Sequence, residues 1–260
     1  MRATWAWLGC VACGANGAAL DPSVEELCDG SAGTRLAVTS YGGMMEPMTE
    51  FLQPWGYDWL QVDGACQWYV GVSDGPHGQW TPVSTGELSS EAAEALLTDL
   101  QVASWPAFAA TADNRQVPDG GTFVVHYAGA TWEGVGDLGR LDEVRDAMLV
   151  VREGLIEGGA PLVADRVLVQ VIEADGGWQP DHWDVAPPEA GLAALAAQVP
   201  AFSGEGVARE GAQAAPWRAM LDGFVREADT RRAMPYATEA EQGYFLMVRE
   251  EPGLLRAAEL

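Results

Sequence analysis

The chain has 260 residues and a mass of 27.6 kDa, 48% of them hydrophobic and 20% charged, which lies in the ordinary globular range. Acidic residues number 38 against 14 basic ones, a net charge of −24, and every base is an arginine because lysine is absent. That composition excludes a P-loop lysine, a Schiff-base lysine for pyridoxal phosphate and a Ser-x-x-Lys acylation site. It also argues against nucleic acid or anionic lipid as a ligand, since phosphates are repelled.

Taken in chain order, Arg2 precedes a short apolar run, Ala3 to Ala12, that gives way to small and acidic residues. A positive start, an apolar stretch and small residues before the cut describe a secretory signal over residues 1–12. Within it, Cys10-Val11-Ala12-Cys13 resembles the lipobox of bacterial lipoproteins, with Cys10 standing where leucine is usual. The resemblance implies cleavage before Cys13 and transfer of a diacylglycerol to its thiol. Leu8-Gly9-Cys10 offers a second such site. Cysteine arithmetic favours the first: cutting before Cys13 discards Cys10, commits Cys13 to lipid and leaves Cys28 and Cys66 to pair in an oxidising compartment. Cutting before Cys10 strands one thiol. Residues 13–30 then read as a lipid-anchored flexible tether, and no later stretch approaches the length of a membrane-spanning helix.

Strands and helices alternate beyond the tether. Arg35 to Tyr41 reads as a strand. Tyr57–Val62 and Cys66–Val70, joined through Asp63-Gly64, carry the pattern of a hairpin between aromatic and β-branched runs. Ser89 to Leu100 reads as a helix with Ser89 as N-cap and Ala92, Ala93, Leu96, Leu97 and Leu100 at helical spacing. Gly121 to Tyr127 alternates as a strand and turns at Ala128-Gly129-Ala130 into Thr131-Trp132-Glu133. Leu141, Val144, Met148, Val151 and Leu155 mark the strongest helix. Val167 to Ile172 reads as a strand central in its sheet, and Pro188 to Gln198 as an alanine-rich helix. Trp217 to Val225 carries another helical stripe, and Gly243 to Arg249 is a final strand. Hairpins mixed with helices predict an α+β fold, mostly antiparallel sheet with helices packed on it. Residues 31–160 and 161–260 divide at Gly158-Gly159-Ala160-Pro161 or form one domain.

Three stretches carry chemical patterns. Gly71-Val72-Ser73-Asp74-Gly75 matches the nucleophile elbow of α/β-hydrolases, with His126 or His182 as the base it would need. Pro76-His77-Gly78 follows instead of the helix that makes an elbow work, so a plain loop is expected. Gly134-Val135-Gly136-Asp137-Leu138-Gly139 matches the dinucleotide fingerprint. Its preceding strand reads as half a hairpin, however, and the acid ending the next strand, Glu173, lies too far on to hold a ribose. Residues 173–184 gather Glu173, Asp175, Asp181, His182 and Asp184 with Trp178 and Trp183, a set suited to calcium or to stacking on sugar. The alternative reading is a solvated acidic loop with its tryptophans folded inward. His126, alternating with Phe123 and Val125, is expected at the sheet surface. Trp55, Trp59, Trp68 and Trp80 read equally as core or as the lining of a carbohydrate or peptide groove.

Leu27-Cys28-Asp29-Gly30 through Thr85-Gly86-Glu87-Leu88-Ser89, and Tyr244 through Pro252, resemble acidic bacterial lipoproteins of high-GC bacteria that bring no known activity. The reading that follows is an exported, lipid-anchored protein of the cell envelope with a non-enzymatic binding or structural role. Its partners would be a membrane through the anchor and an envelope protein or glycan, with no nucleic acid and no cofactor unless calcium. The alternative is an exported hydrolase, or a calcium- or carbohydrate-binding module using residues 173–184.

Overall fold

The computed structural model describes residues 20–42, 51, 54–71, 83–113, 121–174, 182–201, 203–226, 234–256 and 259–260. The fold is α+β, 31% helix and 37% strand, with a seven-stranded antiparallel sheet and a five-stranded mixed one. In the first sheet β1 (Thr34–Gly42) lies between β2 (Asp58–Asp63) and β5 (Gly121–Tyr127). The full order adds β6 (Ala130–Val135) outside β5, and β3 (Gln67–Gly71), β4 (Val83–Glu87) and β7 (Ala160–Pro161) beyond β2.

The expected β2–β3 hairpin forms because Asp63 closes its turn. Its Oδ1 accepts from the amides of Ala65 and Gln67, both at 2.9 Å, and Tyr69 donates to its Oδ2 at 3.1 Å. Burial and this acidic neighbour push the Tyr69 phenol up to about 12.

One face of the first sheet carries the larger core. Alternate residues Leu36, Val38, Leu60, Val62, Trp68 and Val70 point to it. α2 (Ser90–Asp99) and α4 (Leu141–Gly158) pack there through Leu96, Leu97, Val144 and Met148. Ser89 caps α2 as expected, its side chain accepting from Ala92 N at 3.2 Å. After α2 a residue in the left-handed region, Gln101, leads into the tight turn Val102–Ser104 and the short α3 (Trp105–Ala109), which carries Pro106 in its first turn and buries Trp105 and Phe108.

Residues 20–30 fall in the segment read as a tether, yet they are packed. α1 (Val24–Leu27) is capped by Ser23, and Leu27 is fully buried in the same core. Ser23 and Tyr127 exchange two hydrogen bonds of 3.1 Å, Asp29 pairs with Arg35 at 3.1 Å, and Cys28 is disulfide-bonded to Cys66.

In the second sheet β8 (Arg166–Glu173) runs between β10 (Val207–Glu210) and β12 (Gln242–Glu250). β12 forms a hairpin with β11 (Met234–Glu239), and β9 (His182–Asp184) adds alongside β11 in parallel. One face buries Val167, Val169, Val171, Leu246 and Val248 against α5 (Leu192–Ala196) and α6 (Ala215–Arg226). The alanine-rich helix is shorter than its expected 188–198 span. Two prolines, Pro187 and Pro188, and Gly191 at φ +91° delay its start. The other face buries Leu168, Ile172, Phe245 and Met247 together with Phe51 from the N-terminal half. In return Leu254, beyond β12, joins Trp55, Trp59 and Val83 of the first sheet. Each sheet thus receives an apolar side chain from the other half of the chain.

A carboxylate fastens the helical layer to the edge strand. Arg209 of β10 holds Glu189 through Nη2 at 2.6 Å and Nε at 3.1 Å, and the Trp217 indole donates to the same group at 3.2 Å. The Arg209 hydrogen bonds, aided by Trp217, hold the Glu189 carboxyl below the ordinary glutamate range. A depressed folded value means that this contribution to stability is complete above the unfolded value and is lost as pH falls through the folded one. Glu189→Gln is therefore expected to lower the denaturation midpoint near neutral pH. The gap from wild type should close on titration from about pH 6 to about pH 3. A gap that stays constant across that range would disprove the linkage.

Candidate functional site

Residues 173–184 begin at the end of β8 and finish in β9. Asp175 and Asp181 lie outside the described residues, as does Trp178. His182 and Asp184 alternate to the same side of β9, with Nε2 to Oδ1 at 3.6 Å and the Asp184 side chain 84% exposed. The His182 ring packs on Tyr236 of β11, 4.6 Å between centroids, and Tyr236 meets Phe245 edge-on at 5.6 Å. Pairing with β11 brings this aromatic stack to the sheet edge. Among the described residues no three histidines, cysteines or carboxylates group so as to hold a metal ion. Cys10, Cys13, Ser73 and Trp80 also lie outside the described residues.

His126 is buried, 8% exposed, and its Nδ1 lies 2.9 Å from the Thr131 hydroxyl across the β5–β6 hairpin. The expectation of a surface position is corrected, because both faces of β5 are covered. Burial, with Arg35 nearby, lowers its affinity for a proton. Trp55, Trp59 and Trp68 are each under 5% exposed, so of the two readings of these rings core packing holds.

The glycine run at 134–139 does join a strand to a helix, but its strand is the antiparallel partner of β5. The amides that would cradle a phosphate are already used. Asp137 Oδ1 accepts from Gly139 N at 3.0 Å, and Thr111 Oγ1 from Arg140 N at 2.8 Å. Gly134 sits so close to Leu138 and Leu141 that a side chain there would crowd them, and Gly139, at φ +54°, lies against Thr111. These glycines serve packing and chain reversal.

The unusual chemistry lies instead where the two halves meet. Arg249 on β12 is 4% exposed, pairs with Glu251 at 3.0 Å, donates to Phe51 O at 2.5 Å and stands over the Phe51 ring at 4.9 Å. Gln170, fully buried on β8, donates its amide to the carbonyls of Ser203 at 2.9 Å and Glu205 at 3.0 Å. On β2, Gln61 is fully buried and bonded to Thr34 at 2.7 Å and to Leu255 O at 2.7 Å. None of these residues belongs to a sequence motif. Each is a single polar residue inside an apolar strand run, such as Leu60-Gln61-Val62 or Val169-Gln170-Val171, and that is the signal to look for when both faces of a strand are buried.

No family model, curated protein or solved structure matches the chain.

Proposed function

We propose that the protein is exported and lipid-anchored in the bacterial cell envelope, facing the periplasm or the exterior, with a non-enzymatic binding or structural role. The observation that carries this reading is the Cys28–Cys66 disulfide, which clamps the N-terminal segment to the β2–β3 hairpin. Structural disulfides persist in oxidising compartments, and the pairing uses the two cysteines left over if Cys13 carries lipid. The lipobox-like sequence ends seven residues before Leu20, where the chain is already packed on the first core. A diacyl anchor also supplies the two chains that stable membrane attachment requires. Among the described residues no helix is long and apolar enough to cross a membrane. The negative charge of the body suits a protein or glycan partner in the envelope and disfavours nucleic acid.

Mass spectrometry of the protein isolated from its native membrane fraction tests the proposal. The expected species begins at a diacylated Cys13 and yields a Cys28–Cys66 linked peptide. A soluble chain retaining Met1, with all four thiols free, would overturn it.

A further inference from the structure

The chain sets 38 carboxylates against 14 arginines, and the fold spends its few bases inward. Among the described residues seven arginines are held in ion pairs. Four of those pairs are partly or wholly buried: Arg152–Asp58, Arg209–Glu189, Arg218–Glu250 and Arg249–Glu251. The bases therefore do little to offset the acids that face solvent.

The helices of the first core show the consequence. α2 carries Glu91, Glu94 and Asp99, all exposed, with no base, and Asp99 is its last residue. α4 has no base in its last turn either, where Glu157 stands exposed one turn beyond the exposed Glu153. A helix C-terminus is already the negative end of the dipole, and carboxylates at i and i+4 repel each other. Among the described residues no ion pair engages Asp99, Glu153 or Glu157. Each helix thus ends on an unfavourable charge that no side chain of the fold relieves.

Added salt should act on these two groups of charges unequally. The screening length falls from about 30 Å at 0.01 M to about 3 Å at 1 M, and shielded pairs are screened far less than exposed charges. Salt then removes the repulsion at the surface and leaves the four shielded pairs largely intact. Unfolding spreads the net charge of −24 over a larger volume, so the repulsion is chiefly a cost of the compact state.

We infer that the surface charge of this protein is balanced by mobile cations of its medium, so that the fold is built for high ionic strength and loses stability as salt is withdrawn. The partners are hydrated monovalent cations in a diffuse layer, held at no fixed site. The inference uses nothing of the lipid-anchoring reading, and its failure would leave that reading untouched.

Urea denaturation of the full chain, followed by tryptophan fluorescence, tests it, since urea adds no charge of its own. The midpoint is expected to rise by about 0.5–1 M urea between 10 mM and 1 M potassium chloride. The triple variant Asp99→Asn, Glu153→Gln, Glu157→Gln should start above wild type at 10 mM, and the two midpoints should converge at 1 M. A wild-type midpoint that stays flat or falls with salt would overturn the inference. So would equal midpoints at 10 mM, or a gap that persists at 1 M, which would trace to helix propensity and not to charge. A rise already complete in 1 mM calcium chloride would also overturn it, by showing a bound ion in place of a diffuse layer.

Discussion

Replacing Cys28 with serine is expected to lower the unfolding free energy by about 3–4 kcal/mol. The bridge spans 38 positions of sequence, and closing a loop of that length in the denatured chain removes entropy of about this size. The folded state should change little, because the segment has other holds. Leu27 is buried in the core, Ser23 and Tyr127 exchange hydrogen bonds, and Gly30 N donates to Gly64 O at 2.7 Å beside the bridge. Guanidinium titration reads the loss as a lower midpoint, accompanied by a steeper slope because the opened chain exposes more surface. Reduction of the wild type should reproduce the variant, and adding Cys66→Ser should cost little more. A loss below about 1 kcal/mol would mean that the denatured chain is already confined near the hairpin. The prediction bears on location, since in a reducing compartment this fraction of the stability would be absent.

Much of the architecture was legible from periodicity. The β2–β3 hairpin followed from Asp63-Gly64 between aromatic runs, α2 from Ser89 and its apolar stripe, and α4 from Leu141, Val144 and Met148. These elements present one face to one core, so period and burial agree. The short pieces escaped notice. β7 and β9 span two and three residues, and β4 (Val83-Ser84-Thr85-Gly86-Glu87) has neither aromatic nor alternating apolar character. β4 is a strand because Trp68 of β3 packs over Gly86, where a Cβ would collide with the ring. That is tertiary context overriding propensity. The parallel pairing of β9 with β11 likewise depends on residues distant in sequence, and it makes the second sheet mixed within a fold that is mostly antiparallel, as expected.

The candidate sites were less legible, for a physical reason. Sequence patterns single out polar residues in clusters, such as residues 173–184 or the glycine run at 134–139. The polar residues that the fold buries stand singly, in strands covered on both faces. Thr34, Gln61, Gln170 and Arg249 each stand alone in or beside an apolar run, so no cluster of polar residues marks them in the sequence. Their burial arises because each sheet has a second apolar face, closed by material from the other half of the chain: Phe51 over one, Leu254 over the other. The apolar neighbours of Gln61 and Gln170 mark strands covered on both faces, but the segments that cover them lie far off in sequence.

The junction itself is where a single substitution should cost most. Arg249→Met is expected to destabilise the protein by about 3–5 kcal/mol, the usual cost of removing one partner of a buried ion pair. Glu251, 9% exposed, would keep a charge with its guanidinium partner gone. The carbonyl of Phe51 would lose its donor, and the Phe51 ring the cation above it. Arg249→Lys should recover only part of the loss, because a point ammonium cannot span Phe51 O and Glu251 as the planar fork does. The decisive comparison is Arg249→Met combined with Glu251→Leu, which removes both charges. Its cost should fall well below that of Arg249→Met alone, since an apolar replacement for a buried pair is often close to neutral. Phe51→Ala, measured in a cycle with Arg249→Met, should show a coupling of about 0.5–3 kcal/mol, as expected for residues in contact. Additive costs, with no recovery in the double charge removal, would show that Arg249 acts through its aliphatic packing on the sheet and not through the ion pair.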